Sequence, residues 1–158
     1  MTQQDLVVKM LVNAWEVQHK NMNKALDRLN DEQLSKPTAN GRNTGVYLLG
    51  HLAAVNDGMM SLLGFGEKQY PELENIFLKN PENSGLAKPS IAELKAYWKK
   101  INDTLTPRIA DMTTDQWLSR HTAVSEEDFA KEPHRNKLNI LISRTNHQSY
   151  HLGQLAYL

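Results

Sequence analysis

The chain contains no cysteine among its 158 residues. That absence excludes a disulfide framework, a thiolate ligand and a cysteine nucleophile, so any metal has to be held by histidine, carboxylate or water. Long apolar runs are also missing: no stretch of roughly eighteen uncharged apolar residues occurs, and Met1-Thr2-Gln3-Gln4-Asp5 lacks the basic region and apolar run of a secretory leader. No membrane partner is expected, and a cytoplasmic location is the default. Neither sign of charge is in excess, because 18 Lys+Arg balance 18 Asp+Glu. This removes the electrostatic reason to expect nucleic acid or an anionic membrane as a partner. The eight glycines are dispersed, and Gly64-Phe65-Gly66 follows an apolar helical pattern rather than a strand, so no phosphate-binding glycine loop is present.

What is present is the composition of an ordinary globule, with 40% hydrophobic and 23% charged residues. A chain of this length buries about two-thirds of its unfolded surface, and residues 1–158 are expected to form a single domain without help from a metal. Leu6, Met10, Ala14, Val17, Met22, Ala25 and Leu29 recur at helical spacing between Asp5 and Leu29 and predict one long amphipathic helix ending near Asn30. Asn43 or Thr44 caps a second helix that runs to about Leu63 and ends at Gly64-Phe65-Gly66. From Gly64 to Pro89 the prolines and glycines predict a long crossover with a short helical piece around Glu72 to Leu78. Ser90-Ile91-Ala92-Glu93 is a capping box for a third helix whose apolar face is Leu94, Tyr97, Trp98, Ile101 and Leu105, with Pro107 kinking or closing its last turn. Asn136 caps a fourth helix from Lys137 to the end.

Leu29-Asn30-Asp31-Glu32-Gln33-Leu34, after the first helix, echoes Met112-Thr113-Thr114-Asp115-Gln116-Trp117-Leu118, after the third. Each precedes a polar loop and a histidine-bearing helix. Two such helix-loop-helix units predict an all-α fold, a four-helix bundle with a long crossover between helices 2 and 3, where sites are assembled from facing helices. Trp15, Trp98 and Trp117 sit at apolar helical positions and read as packing anchors.

His147 and His151 stand four residues apart, so on a helix both imidazoles converge on one point. At roughly 100° per residue they lie beside the apolar stripe of Leu138, Leu141, Ile142, Thr145 and Leu152, on the side shared with Ile140 and Arg144, and face a groove. Catalytic zinc-type sites take three protein ligands and keep one position open, which leaves the third ligand to be found. His51, in the second helix, shares its side with Tyr47, Ala54 and Gly58, groups that leave room beside it. His19, His121 and His134 stand among polar neighbours and read as solvated surface. Gln148 rather than Glu follows His147, so the zinc-protease pattern with its adjacent base is missing.

Leu48-Leu49-Gly50-His51-Leu52, together with His147, His151 and the following Leu152-Gly153-Gln154-Leu155, resembles the DinB superfamily. The helix order, crossover and capped third helix extend the likeness over nearly all of residues 5–158. The resemblance implies a bundle with up-down-down-up connectivity, a homodimer, and a divalent metal, zinc or nickel, held by His51, His147 and His151. It further implies a thiol-dependent S-transferase that activates a low-molecular-weight thiol as cosubstrate for a small-molecule substrate. A metal on three neutral imidazoles keeps its double positive charge and favours the thiolate of such a cosubstrate. Arg144, one turn before His147, is placed to pair with a carboxylate, and Tyr47 and Tyr150 to donate hydrogen bonds. Two other readings stand beside this one: a non-catalytic helical bundle with a stress-response or interaction role, and a metal-dependent hydrolase using Asp57 or Glu16 as base.

Overall fold

Thr2, Thr44, Ser90 and Asn136 open the four long helices, each with a side-chain oxygen that accepts the backbone N–H three residues on. The computed structural model describes residues 1–158, all helix and loop with no strand. In chain order the helices are α1 (Gln3–Arg28), α2 (Asp31–Leu34), α3 (Gly45–Leu62), α4 (Glu72–Phe77), α5 (Ile91–Ala110), α6 (Thr114–Leu118), α7 (Glu126–Lys131) and α8 (Lys137–Leu155). None is long and apolar enough to cross a membrane. The long elements and the short α4 follow the sequence reading closely. Pro107 does not close α5 at once: the helix runs on to Ala110 with the proline in its last turn. Helix α7 was not expected, because it buries nothing and has no apolar stripe; the Ser125 cap, its acidic first turn and Lys131 at its end stabilise it.

The internal repeat has a structural counterpart. Helices α2 and α6 are both single short helices opened by full capping boxes, Asn30 with Gln33 and Thr113 with Gln116. In each unit the chain then forms one antiparallel bridge to the cap of the next long helix, Pro37 to Thr44 and Arg120 to Asn136. Matching backbone bonds follow, from Gly45 N–H to the Lys36 carbonyl and from Lys137 N–H to the Ser119 carbonyl. Two copies of one device thereby aim α3 and α8.

Helix α1 corrects the sequence reading. The residues it buries are Val8, Trp15, His19, Met22, Ala25 and Leu26, whereas Leu6, Met10 and Val17 are 46%, 62% and 48% exposed. The helix carries two apolar stripes on nearly opposite sides, and the one lacking tryptophan faces solvent. His19 is 8% exposed rather than solvated, stacked on Trp15 with ring centroids 5.1 Å apart. Trp15, Trp98 and Trp117 are packing anchors as expected.

Helix α1 packs on α8, α8 on α3, and α3 on α5. The core between them forms two clusters. One gathers Met22 and Leu26 of α1, Leu48 and Leu52 of α3, Leu94 and Trp98 of α5 and Leu155 of α8; the other gathers Trp15, Met59, Leu105 and Leu141. Each long helix buries polar residues between its contributions to the two clusters: His19 of α1, Asn56 and Asp57 of α3, Asn102 of α5, and Gln148 and His151 of α8. Asn56 Nδ2 donates to Asn102 Oδ1, and Asn102 Nδ2 to the Trp98 carbonyl. Trp98 Nε1, which only donates, bonds Asn23 Oδ1 at 2.7 Å and so turns the Asn23 amide nitrogen toward His19 Nε2 at 3.2 Å. His19 Nε2 is therefore an acceptor, and the ring proton sits on Nδ1.

Burial lowers the His19 pKa to about 4. In the unfolded chain the ring titrates near its ordinary value of 6.5, so between these values the unfolded state binds more protons. This contribution is complete above about pH 6.5 and lost as pH falls toward 4. Urea unfolding of the metal-free protein should show stability about 2 kcal/mol lower at pH 5 than at pH 7 from this group, and the slope should flatten in His19→Gln.

Candidate metal centre

Helices α3 and α8 run antiparallel, because early α3 shares a cluster with late α8 and late α3 with early α8. This brings His51, near the start of one, beside His147 and His151, near the end of the other. His51 Nε2 lies 2.9 Å from His147 Nε2, which lies 3.0 Å from His151 Nε2. The three ligating nitrogens fall within 4.8 Å of one another, and no carboxylate joins the group. His151 is buried and the other two rings are half-buried.

Two of the rings have their tautomers set from behind. His51 Nδ1 lies 3.0 Å from the Phe77 carbonyl, which can only accept, so Nδ1 carries the proton and Nε2 presents a lone pair. His151 Nδ1 donates in the same way to Gln154 Oε1 at 2.6 Å. His147 Nε2 then faces two lone pairs and has at most one proton to offer. Charging the rings does not resolve the conflict: burial first, then the charges of His151, His51 and Arg144, brings His147 down to about 4, and burial lowers His151 as well. A divalent cation resolves it. Around an ion with bonds of about 2.0–2.1 Å, tetrahedral nitrogens stand roughly 3.3 Å apart, a few tenths of an ångström beyond the separations seen. Three protein ligands with no fourth is the arrangement of an open site.

Gly50 explains the approach of the crossover. A Cβ there would overlap the Phe77 ring, so only glycine lets α4 press against α3 closely enough for the Phe77 carbonyl to reach His51. The crossover is stitched to α3 elsewhere as well. Asp57 accepts the N–H groups of Gln69 and Tyr70 at 2.8 Å, Tyr47 donates to the Asn80 carbonyl at 2.5 Å, and Glu82 accepts from Thr44 N–H at 2.9 Å.

The other residues named from sequence fall as follows. The Tyr47 hydroxyl is engaged with the crossover backbone, and its ring packs beside Phe77 at 5.5 Å. Tyr150 is 65% exposed, its ring edge-on to His151 at 5.2 Å, which puts it on the rim. Arg144 is half-buried, and its Nε is buried without a partner. Asp57 is consumed by the crossover and Glu16 is exposed on α1. His121 and His134 lie outside the cluster. A cavity of about 880 Å³ between α1 and α5 includes His19, Asn23, Trp98 and Asn102 but none of the three histidines. Gln154 and the Phe77 carbonyl were missed as supports. The spacing of Gln154 from His151 offered a signal, since i and i+3 share a helical face; a backbone carbonyl on a distant loop offered none.

Gly50→Ala should lower stability by about 1–3 kcal/mol through overpacking and weaken metal uptake, both read by denaturant titration and metal competition. Gln154→Leu should reduce metal affinity by about 10–100-fold with an unchanged helical spectrum.

No curated protein matches the chain. The family model described as DinB superfamily matches residues 14–155, which include both histidine-bearing helices and everything between them. On that match, and on a helical fold holding the three-histidine cluster, the chain belongs to the DinB superfamily of metal-binding helical proteins.

Proposed function

We propose that this protein is a metal-dependent thiol S-transferase, with His51, His147 and His151 holding one zinc or nickel ion. The observation that carries the reading is the convergence of three ring nitrogens with no fourth protein ligand. An ion held there would supply positive charge that favours the deprotonated form of a thiol entering the open position. The chain supplies the rest. Phe77 and Gln154 orient two imidazoles, the half-buried rings give a partly dry environment, and Tyr150 stands on the rim to donate a hydrogen bond. In the overall transfer a sulfur–carbon bond forms on an electrophilic substrate, the bond to its leaving group breaks, and the thiol proton passes to solvent. With no cysteine in the chain, the sulfur comes from a diffusible cosubstrate. Hydrolysis finds less support, because Asp57 is committed to the crossover and Glu16 to solvent.

The scaffold proposed for this chemistry is a single-domain four-helix bundle of α1, α3, α5 and α8 with up-down-down-up connectivity. The distribution of early and late residues of each helix between the two clusters supports it. A homodimer is part of the proposal, and exposed Leu6, Met10 and Val17 offer an apolar surface for it.

Protein purified without an affinity tag should contain about one divalent transition ion per chain. His147→Ala should abolish uptake while the melting temperature of the metal-free protein stays within a few degrees. Cobalt-substituted protein mixed with glutathione, bacillithiol or mycothiol should develop a thiolate charge-transfer band with at least one of them; no band with any thiol would sink the transferase reading.

A further inference from the structure

The unpaired guanidinium beside the cluster points to the kind of molecule the site accepts. Arg144 and His147 occupy one face of α8, about 4.5 Å apart along the helix axis. No carboxylate acts on Arg144: burial alone lowers its pKa, and its charge is felt by His147. A half-buried cation with a buried, unpartnered Nε is costly unless something anionic completes it.

The wall opposite leaves room for such a group. His51 meets His147 and His151, and a Cβ built on Gly64 would lie 3.7 Å from Lys137 Nζ. These anchors fix the antiparallel register and put Arg144 level with the turn of α3 from Val55 to Gly58. A Cβ on Gly58 would meet nothing within 4 Å, so open space lies over that turn, on the side of α3 that also carries His51. Charge demand and free volume thus coincide one turn from the histidines.

We infer that Arg144 seats the acid group of the ligand, so that the site selects small molecules pairing a metal-seeking donor atom with a carboxylate a few bonds away. Arg144 presents its donors as a planar fork suited to two carboxylate oxygens, and a neutral ligand of equal length leaves that fork unpaired. The inference rests on the thiol reading above. It adds what that reading lacks, a rule for which thiols or acceptors are taken.

Cobalt-substituted protein titrated with 3-mercaptopropionate and with 3-mercaptopropan-1-ol separates the two ideas. The wild type should bind the acid at least about ten-fold more tightly than the alcohol. Arg144→Gln should erase that preference while leaving the affinity for the alcohol unchanged. Gly58→Leu adds a side chain where the structure has space, so it should fold with an undiminished melting temperature and still lose affinity for the acid. Equal affinities in the wild type, or a preference that survives Arg144→Gln, would overturn the inference and leave the thiol reading standing. Absence of a thiolate band with both compounds would remove the thiol reading and the inference together.

Discussion

The contact of Phe77 with the bare backbone of Gly50 is the constraint on which the histidine cluster depends. Where a side chain on residue 50 would hold the crossover away, glycine lets α4 settle on α3 and brings a carbonyl to His51 Nδ1. That one bond decides which ring nitrogen carries the proton, and so which one faces the other two rings. Gln154 does the same for His151 from within its own helix. Two rings with fixed tautomers and a third, half-buried, between them cannot satisfy one another, and the mismatch suits the cluster to a cation better than to a hydrogen-bonded knot. Three further ties, at Asp57, Tyr47 and Glu82, keep the long crossover from lifting off α3 and taking the carbonyl with it.

Much of this was legible in the sequence because it follows from local rules. Helix starts are written as side chains that accept backbone N–H groups, and Thr44, Ser90 and Asn136 act as read. The pair His147 and His151 follows from helical spacing alone. His51 required more: nothing local says that the second and fourth long helices lie side by side, and likeness to a family supplied what spacing did not. Helix α1 misled because it has apolar residues on two sides, and periodicity does not say which stripe goes inside. The choice was made by bulk, since Trp15 and Met22 fill the core and Leu6, Met10 and Val17 do not. His19 was misread for the same reason. Its polar neighbours in sequence face water while the ring itself stacks between Trp15 and Trp98.

Buried polar residues tie α1, α3 and α5 in one register. Buried polar residues of α1, α3 and α5 are unfavourable anywhere but beside their partners, so a slip along the helix axis would set Asn56 or Asn102 against leucine. The linked bonds from Asn56 to Asn102 and from Trp98 through Asn23 to His19 reward the observed alignment. The spacing between these residues and the metal-site histidine of α3 is then fixed by counting, since Asn56 lies five residues beyond His51.

The cluster and the core do separate work. Both hydrophobic clusters draw residues from α3 and α8 and are complete without an ion. A structural metal is recognised by the opposite pattern, in which the ligands replace a core the chain is too small to build. Here the chain is large enough to hold α3 and α8 together through leucine, methionine and tryptophan. The repeated capping device accounts for the asymmetry of the site as well. Two similar units aim two similar helices, but the first contributes one imidazole and the second two, and on the His51 side of α3 Gly58 leaves open space.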